Sequence, residues 1–150
     1  MERIGWDQYF SNIATSVAAR STCPRLSVGA ILVKDKHVIS TGYNGAPRDG
    51  THCIQAGCEI VDNHCVRVIH AEANAIIYAS ESPRYSVAYV THSPCLECFK
   101  LLYQAGIKRI VYTEPYKLVN YQKILGISNN SMPDVVQLAQ DVEPVAIDHY

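Results

Sequence analysis

Two short segments, distant along the chain, constrain its fold more than any other feature. The pattern His-x-Glu occupies residues 70–72, and the pattern Pro-Cys-x-x-Cys occupies residues 94–98. Cys95 and Cys98 are spaced to lie on one face of a helix, so both sulfurs can bind the same metal ion. His70 must then come from the start of a second helix. The fold has to bring these two helix starts together.

The residue types in these segments indicate a catalytic zinc site. One imidazole and two thiolates, from His70, Cys95 and Cys98, leave a fourth tetrahedral position open, which distinguishes a catalytic zinc from a structural one. Glu72 lies two residues from a ligand and is placed to transfer protons at that position. The alternatives are a structural zinc knuckle, a redox pair of cysteines, or a solvated acid at Glu72. The combination of both patterns is restrictive and favours catalysis.

The apolar pattern predicts one three-layer α/β/α domain with a mixed sheet of about five strands. Helices alternate with the later strands, so those strands should run parallel and be joined by helical crossovers. A chain of 150 residues that is 48% hydrophobic suits a single domain over residues 1–150. The predicted helices cover 6–20, 71–80, 94–104 and 116–125, and the predicted strands cover 28–33, 38–43, 86–91, 107–113 and 142–147.

Residues 48–68 are polar, rich in cysteine and without clear periodicity, which predicts a long functional insertion. With Cys23, the insertion supplies four cysteines outside the catalytic pattern. Four thiolates suit a closed tetrahedral zinc site that would fasten the insertion to the end of the first helix. Ordinary buried thiols are the alternative. The residues concerned are Cys23, Cys53, Cys58 and Cys65.

The composition restricts partners and compartment. Thirteen basic and fourteen acidic residues give a formal charge of −1, and no basic run favours long nucleic acid. No apolar stretch is long enough to cross a bilayer, and the N-terminus lacks the apolar region of a signal peptide. Six cysteines in a reducing compartment are typical metal ligands. We therefore expect a cytoplasmic protein without a membrane partner.

The chain resembles the deoxycytidylate (dCMP) deaminases, a branch of the cytidine deaminase superfamily. The zinc patterns alone identify only the superfamily. The turn Gly42-Tyr43-Asn44-Gly45, together with the cysteine-rich insertion, narrows the resemblance to this branch. The matching stretches are residues 23–30, 40–45, 70–76 and 89–95, and the likeness extends from 23 to about 121.

This resemblance implies a cytidine-deaminase-like fold and the zinc-dependent hydrolysis of dCMP to dUMP and ammonia, which would supply thymidylate synthesis. It implies that Asn44 hydrogen-bonds the substrate sugar and that the backbone of Ala71 donates to the base carbonyl. A left-handed turn is the alternative reason for Asn44. For the 5′-phosphate, Arg25 is the nearest cation by motif. Tyr116, Lys117 and Tyr121 are its expected helpers.

The resemblance also implies a homo-hexamer that dCTP activates and that dTTP with magnesium inhibits. The effector site would include Gly42, Tyr43, Asn44 and Gly45. In related deaminases, cysteines at the positions of Cys23 and Cys53 bind a second, structural zinc, and the other ligands vary. His52 or His64 could therefore replace Cys58 or Cys65.

Two other functions compete with this interpretation. Deaminases of free cytidine, dCTP or tRNA adenosine use the same zinc chemistry, because pocket shape selects the substrate. The near-neutral charge and Arg25 argue against them. A non-catalytic zinc-binding module is the other alternative, and the intact His-x-Glu pattern argues against it.

Overall fold

The computed structural model describes residues 2–139, which form one five-stranded sheet, one small hairpin and the helices that cover the sheet. The helices are α1 (Trp6–Ala18), α2 (Cys53–Ala56), α3 (Ala71–Ile77), α4 (Leu96–Gln104) and α5 (Tyr121–Leu125), with a 3₁₀ turn at Asn129–Ser131. The strands are β1 (Gly29–Lys34), β2 (His37–Tyr43), β3 (Ile60–Val61), β4 (His64–Cys65), β5 (Val87–His92), β6 (Arg109–Glu114) and β7 (Asp134–Gln137).

The main sheet is mixed, with strand order β2-β1-β5-β6-β7. β1 runs antiparallel to both β2 and β5, whereas β5, β6 and β7 are parallel. Parallel neighbours need crossovers, and α4 and α5 lie in the two connections between them. The three-layer α/β fold with about five strands is therefore confirmed.

Helices cover both faces of the sheet, because the central strands are apolar on both sides. On one face, α1 packs Phe10 and Ala14 against Ile31, Tyr89 and Val111. On the other face, α3 and α4 form the larger core with β1, β5 and β6. That core includes Leu32, Ala71, Ala75, Val90, Phe99, Leu102 and Ile110.

The approach of α3 to the sheet depends on Gly42 in β2. A Cβ atom at this position would overlap the backbone of Ala71 and Ala75. The glycine thus lets the start of α3, and with it His70, lie against the strand.

A charged contact fastens α1 across the sheet to β6. Both terminal nitrogens of Arg109 donate to the Asp7 carboxylate, at 2.7 and 2.8 Å, and the Tyr89 hydroxyl donates to it at 2.8 Å. The hydrogen bonds from Arg109 lower the pKa of Asp7, although partial burial opposes this. The ionised form of Asp7 is therefore favoured in the folded protein.

Several predicted boundaries were wrong. The helix predicted over 71–80 ends at Ile77, and the helix predicted over 116–125 begins only at Tyr121. The fifth strand is β7, which was not predicted, and the strand predicted over 142–147 lies outside the described residues. The insertion predicted as a loop over 48–68 contains α2 and the β3–β4 hairpin.

No helix in the described part of the chain has both the length and the apolar character that crossing a bilayer requires.

Candidate active site

The structure brings His70, Cys95 and Cys98 together. Nδ1 of His70 lies 3.3 Å from the sulfur of Cys98 and 3.6 Å from that of Cys95. All three donor atoms lie within 4.8 Å of one another. The two distant sequence patterns thus form one cluster.

Two helix starts position these ligands. His70 is the N-cap residue of α3, and Cys95 is the N-cap residue of α4. The Cys95 sulfur accepts a hydrogen bond from the backbone N–H of Cys98 at 3.5 Å. An N–H donor at a helix start favours the thiolate form of a cysteine.

The donor set and its spacing fit zinc. Zinc–ligand bonds of roughly 2.0–2.3 Å in a tetrahedral site separate neighbouring ligand atoms by about 3.5–3.8 Å. The imidazole–sulfur distances of 3.3 and 3.6 Å are close to this range. An imidazole and two thiolates are also typical zinc ligands. These three residues can therefore hold the ion without a rearrangement of the backbone.

The environments of Cys95 and Cys98 shift their pKa values in opposite directions. The hydrogen bond from Cys98 lowers the pKa of the Cys95 thiol to about 4, although burial opposes this, and the contact with His70 acts in the same direction. The pKa of Cys98 is raised, first by its bond to Cys95 and then by burial. Cys95 is thus prepared as an anionic ligand.

Glu72 lies in the first turn of α3, beside this cluster, and is 5% exposed. Burial raises the pKa of its carboxyl group, and contacts with its own backbone and with Cys98 partly compensate. A carboxyl group whose pKa is raised by burial is better suited to accept and return a proton than a solvated one. Glu72 therefore has the environment of a proton carrier.

The cluster opens into a cavity of about 550 Å³. This volume is typical of a small-molecule site. Arg25, Asn44 and Tyr116 line the cavity together with His70 and Glu72. With Lys117, which also lines it, four of the residues predicted to contact substrate therefore lie around the predicted metal site.

Asn44 lines the cavity, but its amide is largely occupied by the protein. The side chain donates to the carbonyl of Leu26 at 2.7 Å and accepts from the N–H of Val28 at 2.9 Å. One amide N–H and one lone pair remain for a ligand. Asn44 thus holds the segment that follows Arg25, which is a positioning role that sequence reasoning did not predict.

Tyr121 was predicted to help bind substrate, but the structure gives it another place. The residue is 6% exposed and does not line the cavity. Its ring stacks on Phe99 with centroids 4.2 Å apart, and its hydroxyl donates to the carbonyl of Pro94 at 2.5 Å. Because Pro94 precedes Cys95, this contact of Tyr121 stabilises the start of α4.

In the turn of residues 42–45, which was predicted to bind effector phosphates, the two glycines contact other parts of the protein. Gly42 is buried against α3, and Gly45 exchanges backbone hydrogen bonds with Ile69 at 2.8 and 3.2 Å. The N–H of Gly45 is therefore not available to a phosphate. Of the four predicted residues, Tyr43 has the exposed side chain, at 38%.

A second cysteine cluster lies in the insertion. The sulfurs of Cys53, Cys58 and Cys65 lie within 4.8 Å of one another, and Cys53 and Cys65 are 3.6 Å apart. Burial opposes ionisation of Cys65, but the backbone N–H of Arg67 and the other two thiols lower its pKa to about 7. Three sulfurs at this spacing fit most of a tetrahedral zinc site.

Two neighbours could supply the fourth ligand of this cluster. Cys23 is buried, and it is among the neighbours that contribute to the raised pKa values of Cys53 and Cys58, which result first from burial and then from contacts with the other thiols. His52 precedes Cys53, and its Nδ1 is buried with no hydrogen-bond partner in the described structure. His64, the other predicted alternate, is exposed and lines the catalytic cavity.

Two further residues near the cavity were not predicted to belong to the site, although the sequence favoured Ser93 as the N-cap of the helix that Cys95 in fact caps. His92 lines it, and the buried hydroxyl of Ser93 bonds to the backbone of Tyr116. Both precede Pro94-Cys95 directly. Their place at the end of an apolar strand, beside a metal ligand, was the available signal.

Comparisons with known proteins agree with this geometry. The family described as the cytidine and deoxycytidylate deaminase zinc-binding region matches residues 4–114. ComE operon protein 2 of Bacillus subtilis (strain 168) is 50% identical over 128 residues, covering 83% of this chain and 68% of the relative. The deoxycytidylate deaminase of Mycobacterium phage D29 is 42% identical over 125 residues, covering 75% and 97%. The structure of the dCMP deaminase from cyanophage S-TIM5 in complex with dCMP and dUMP matches with a TM-score of 0.76 and 31% identity, covering 92% of this chain and all of that one.

Proposed function

This chain belongs to the cytidine and deoxycytidylate deaminase family, whose members carry this zinc-binding region, and on that basis we propose that it hydrolyses dCMP to dUMP and ammonia. The observation that carries the proposal is the buried Glu72 beside the cluster of His70, Cys95 and Cys98, at a cavity that Arg25 also lines. The phage relatives, which are named as dCMP deaminases, support the choice of substrate.

The reaction replaces the amino group on carbon 4 of the pyrimidine with the oxygen of water. His70, Cys95 and Cys98 would hold a zinc ion, which would act as a Lewis acid and make a water molecule easier to deprotonate. Glu72 accepts a proton from this water and delivers it to the ring nitrogen beside carbon 4, while the oxygen adds to carbon 4. Glu72 then accepts the second proton of that oxygen and delivers it to the amino group, so that the carbonyl forms and ammonia leaves. The raised pKa of Glu72 suits both transfers.

Recognition of the nucleotide requires contacts at the base, the sugar and the phosphate. Ala71 is the first residue of α3, where its N–H has no partner within the helix and can donate to the base carbonyl. The free amide N–H of Asn44 can reach the sugar. Arg25, Tyr116 and Lys117 line the cavity and are the groups that we assign to the 5′-phosphate.

We propose a second, structural zinc in the insertion. Cys53, Cys58 and Cys65 would be three of its ligands, and Cys23 or His52 would be the fourth. The sulfur spacing and the unpaired Nδ1 of His52 support this assignment.

The remaining proposals rest on the family. They are the supply of dUMP for thymidylate synthesis, activation by dCTP, inhibition by dTTP with magnesium, and assembly as a homo-hexamer. A cytoplasmic location is also proposed, because cysteines in a reducing compartment are typically metal ligands rather than disulfides. Effector binding at residues 42–45 would have to use the exposed Tyr43, because Gly42 and Gly45 pack against protein.

An ultraviolet assay of ammonia loss tests the proposed function. The purified zinc protein is offered dCMP, cytidine, dCTP and a tRNA anticodon stem, each with and without dCTP or dTTP and magnesium as effectors. We expect dCMP to have the highest kcat/KM. Equal rates on dCMP and cytidine would contradict the phosphate contacts, and turnover of the tRNA alone would refute the proposed substrate.

A further inference from the structure

Residues at the ends of two parallel strands form one wall of the cavity. His92 ends β5, and Tyr116 and Lys117 follow β6. All three line the cavity that contains His70 and Glu72. The rings of His92 and Tyr116 meet edge to face with centroids 6.4 Å apart, and Nζ of Lys117 lies 5.3 Å from the centroid of the Tyr116 ring. The ring of Tyr116 is thus in contact with both the imidazole of His92 and the ammonium group of Lys117.

A buried hydroxyl holds this wall in place. Ser93 is 2% exposed, and its Oγ donates to the carbonyl of Tyr116 at 2.8 Å and accepts from the N–H of the same residue at 2.6 Å. The N–H of Ser93 also bonds to the carbonyl of Glu114 at 2.9 Å. The loop after β6 is therefore fixed to the segment that leads into Cys95.

The hydroxyl of Thr91 contacts the Nδ1 side of the His92 ring. Thr91 Oγ1 accepts from the N–H of Gly29 at 3.1 Å and lies 2.9 Å from Nδ1 of His92. When the Thr91 hydroxyl donates its proton to Nδ1, the neutral imidazole carries its own proton on Nε2. Burial lowers the pKa of His92, although Glu114 acts in the opposite direction. His92 then presents an N–H donor from a fixed ring.

The charges around the cavity indicate what this donor meets. Two cationic side chains, Arg25 and Lys117, and two carboxylates, Glu72 and Glu97, line the cavity. Glu72 is buried at the metal cluster, and Glu97 is exposed and paired with Lys100 at 2.8 Å. An anion bound near Tyr116 would therefore contact the ammonium group of Lys117 on one side of the ring and the N–H donor of His92 on the other.

We infer that His92 is a specificity-determining residue that donates from Nε2 to the 5′-phosphate of a nucleoside monophosphate, with Lys117 as its partner across Tyr116. This inference rests on the proposed function and extends it, because it adds a neutral donor to the cation Arg25. A nucleoside without phosphate gains nothing from this wall. The wall therefore selects the monophosphate.

The test compares dCMP with deoxycytidine in the zinc-loaded H92F, H92Q and K117Q proteins. Phenylalanine keeps a ring without a donor, and glutamine keeps a donor. A hydrogen bond to a charged group accounts for about tenfold or more in affinity. We expect H92F to raise KM for dCMP at least about tenfold more than KM for deoxycytidine, H92Q to recover part of the loss, and K117Q to act in the same direction.

Matched controls separate this role from a structural one. His37 is exposed and does not line the cavity, so H37Q should retain the wild-type preference for dCMP. Zinc content and the melting temperature are measured for every variant, and ¹⁵N NMR identifies the protonated nitrogen of His92. Equal losses on both substrates, no recovery in H92Q, or a proton on Nδ1 would each overturn the inference.

Binding of the product makes the test independent of turnover. Calorimetry of dUMP and deoxyuridine should show tighter binding of dUMP to the wild type and a smaller difference in H92F. If the wild type does not deaminate dCMP, the proposed function fails, whereas a lost preference for dUMP in H92F would still support His92. An unchanged preference in H92F would overturn the role of His92 alone.

Discussion

The two sulfur clusters of this protein differ in what surrounds them. The ligands His70 and Cys95 cap helices that pack on a five-stranded sheet, and the neighbouring core includes fully buried Phe99 and Leu102. The cluster of the insertion joins a helix of four residues to a hairpin with two-residue strands. Around that second cluster, four large apolar side chains are exposed. They are Ile54, Ile60, Val61 and Val66, at 63%, 47%, 50% and 58%.

We infer from this difference that the two clusters use the same types of ligand for different purposes, one for catalysis and one for structural support. Elements as short as α2 and the β3–β4 hairpin are not stable alone in water, and the insertion buries little apolar surface. There, the bonds to a metal would have to replace a hydrophobic core. In the cluster of His70, Cys95 and Cys98, the core already fixes the side chains, so a bound zinc ion would be available for catalysis. In the first cluster the fold positions the ligands, whereas in the second cluster a bound metal would stabilise the local fold.

The largest expected effect comes from E72Q, which tests whether the catalytic cluster is built for chemistry. Glutamine keeps the size of the side chain but cannot carry the proton, so kcat should fall by about 10³-fold or more. Zinc content and the melting temperature should remain near the wild-type values. A steady-state assay with metal analysis measures both, and a kcat within tenfold of the wild type would contradict the role of Glu72.

Removal of Cys65 tests the opposite property of the insertion. We expect C65S to lower the melting temperature by about 5–15 °C, because a structural ligand is lost. Hydrogen exchange should accelerate mainly over residues 48–68, while the central strands keep their protection. C58A, compared at the same zinc concentration, should act in the same direction. Unchanged exchange in the insertion would show that its fold does not depend on the cluster.

Substitution of Asn44 sharpens the comparison at the point where scaffold and cavity meet. N44A removes the bonds to Leu26 and Val28 and leaves partly buried backbone groups unpaired, which should cost about 1–2 kcal/mol of unfolding free energy. It should also raise KM for dCMP, because the segment after Arg25 is released. N12A, on the exposed face of α1, is the control and should change stability by less than about 0.5 kcal/mol. Normal stability with a raised KM would mean that Asn44 acts only on substrate.

The smallest expected effect concerns the ion pair between Asp7 and Arg109, which belongs to the rigid part of the fold. D7N should lower the unfolding free energy by about 1 kcal/mol, since both side chains are partly exposed and screened by solvent. The folded pKa of Asp7 lies below the ordinary value of 3.8, so its stabilisation is complete above that pH and is lost only as the pH falls further. Urea unfolding between pH 7 and 5 should therefore give a constant difference between D7N and the wild type. A difference that disappears by pH 5 would contradict this assignment.

The sequence could predict the parts of the site that are adjacent along the chain. Cys95 and Cys98 share a helix turn, and the apolar runs at β1, β5 and β6 indicated the strands, so the layers could be predicted. The boundary near Tyr116 could not, because a hydroxyl from Ser93 holds that residue outside the helix. A contact between segments that are far apart in sequence leaves no local pattern.

The roles of Asn44 and Tyr121 show the same limit. Both are polar residues in or near the stretches that resemble the family, and sequence reasoning predicted that both contact the substrate. In the structure, the amide of Asn44 bonds to Leu26 and Val28, and the hydroxyl of Tyr121 bonds to Pro94. Residue type predicted hydrogen bonding correctly in each case, but the partner depends on the tertiary fold. Short β7, which pairs with β6 at the sheet edge, was missed for the same reason.

The most direct test of the two-cluster account measures zinc per chain, dCMP deamination and melting temperature in the wild type, C95S and C65S. The account predicts two zinc ions in the wild type and one in each variant. C95S should lose activity while it melts near the wild-type temperature, and C65S should melt much lower while its folded molecules remain active. One zinc in a fully active wild type, or a C95S protein that melts as low as C65S, would contradict it.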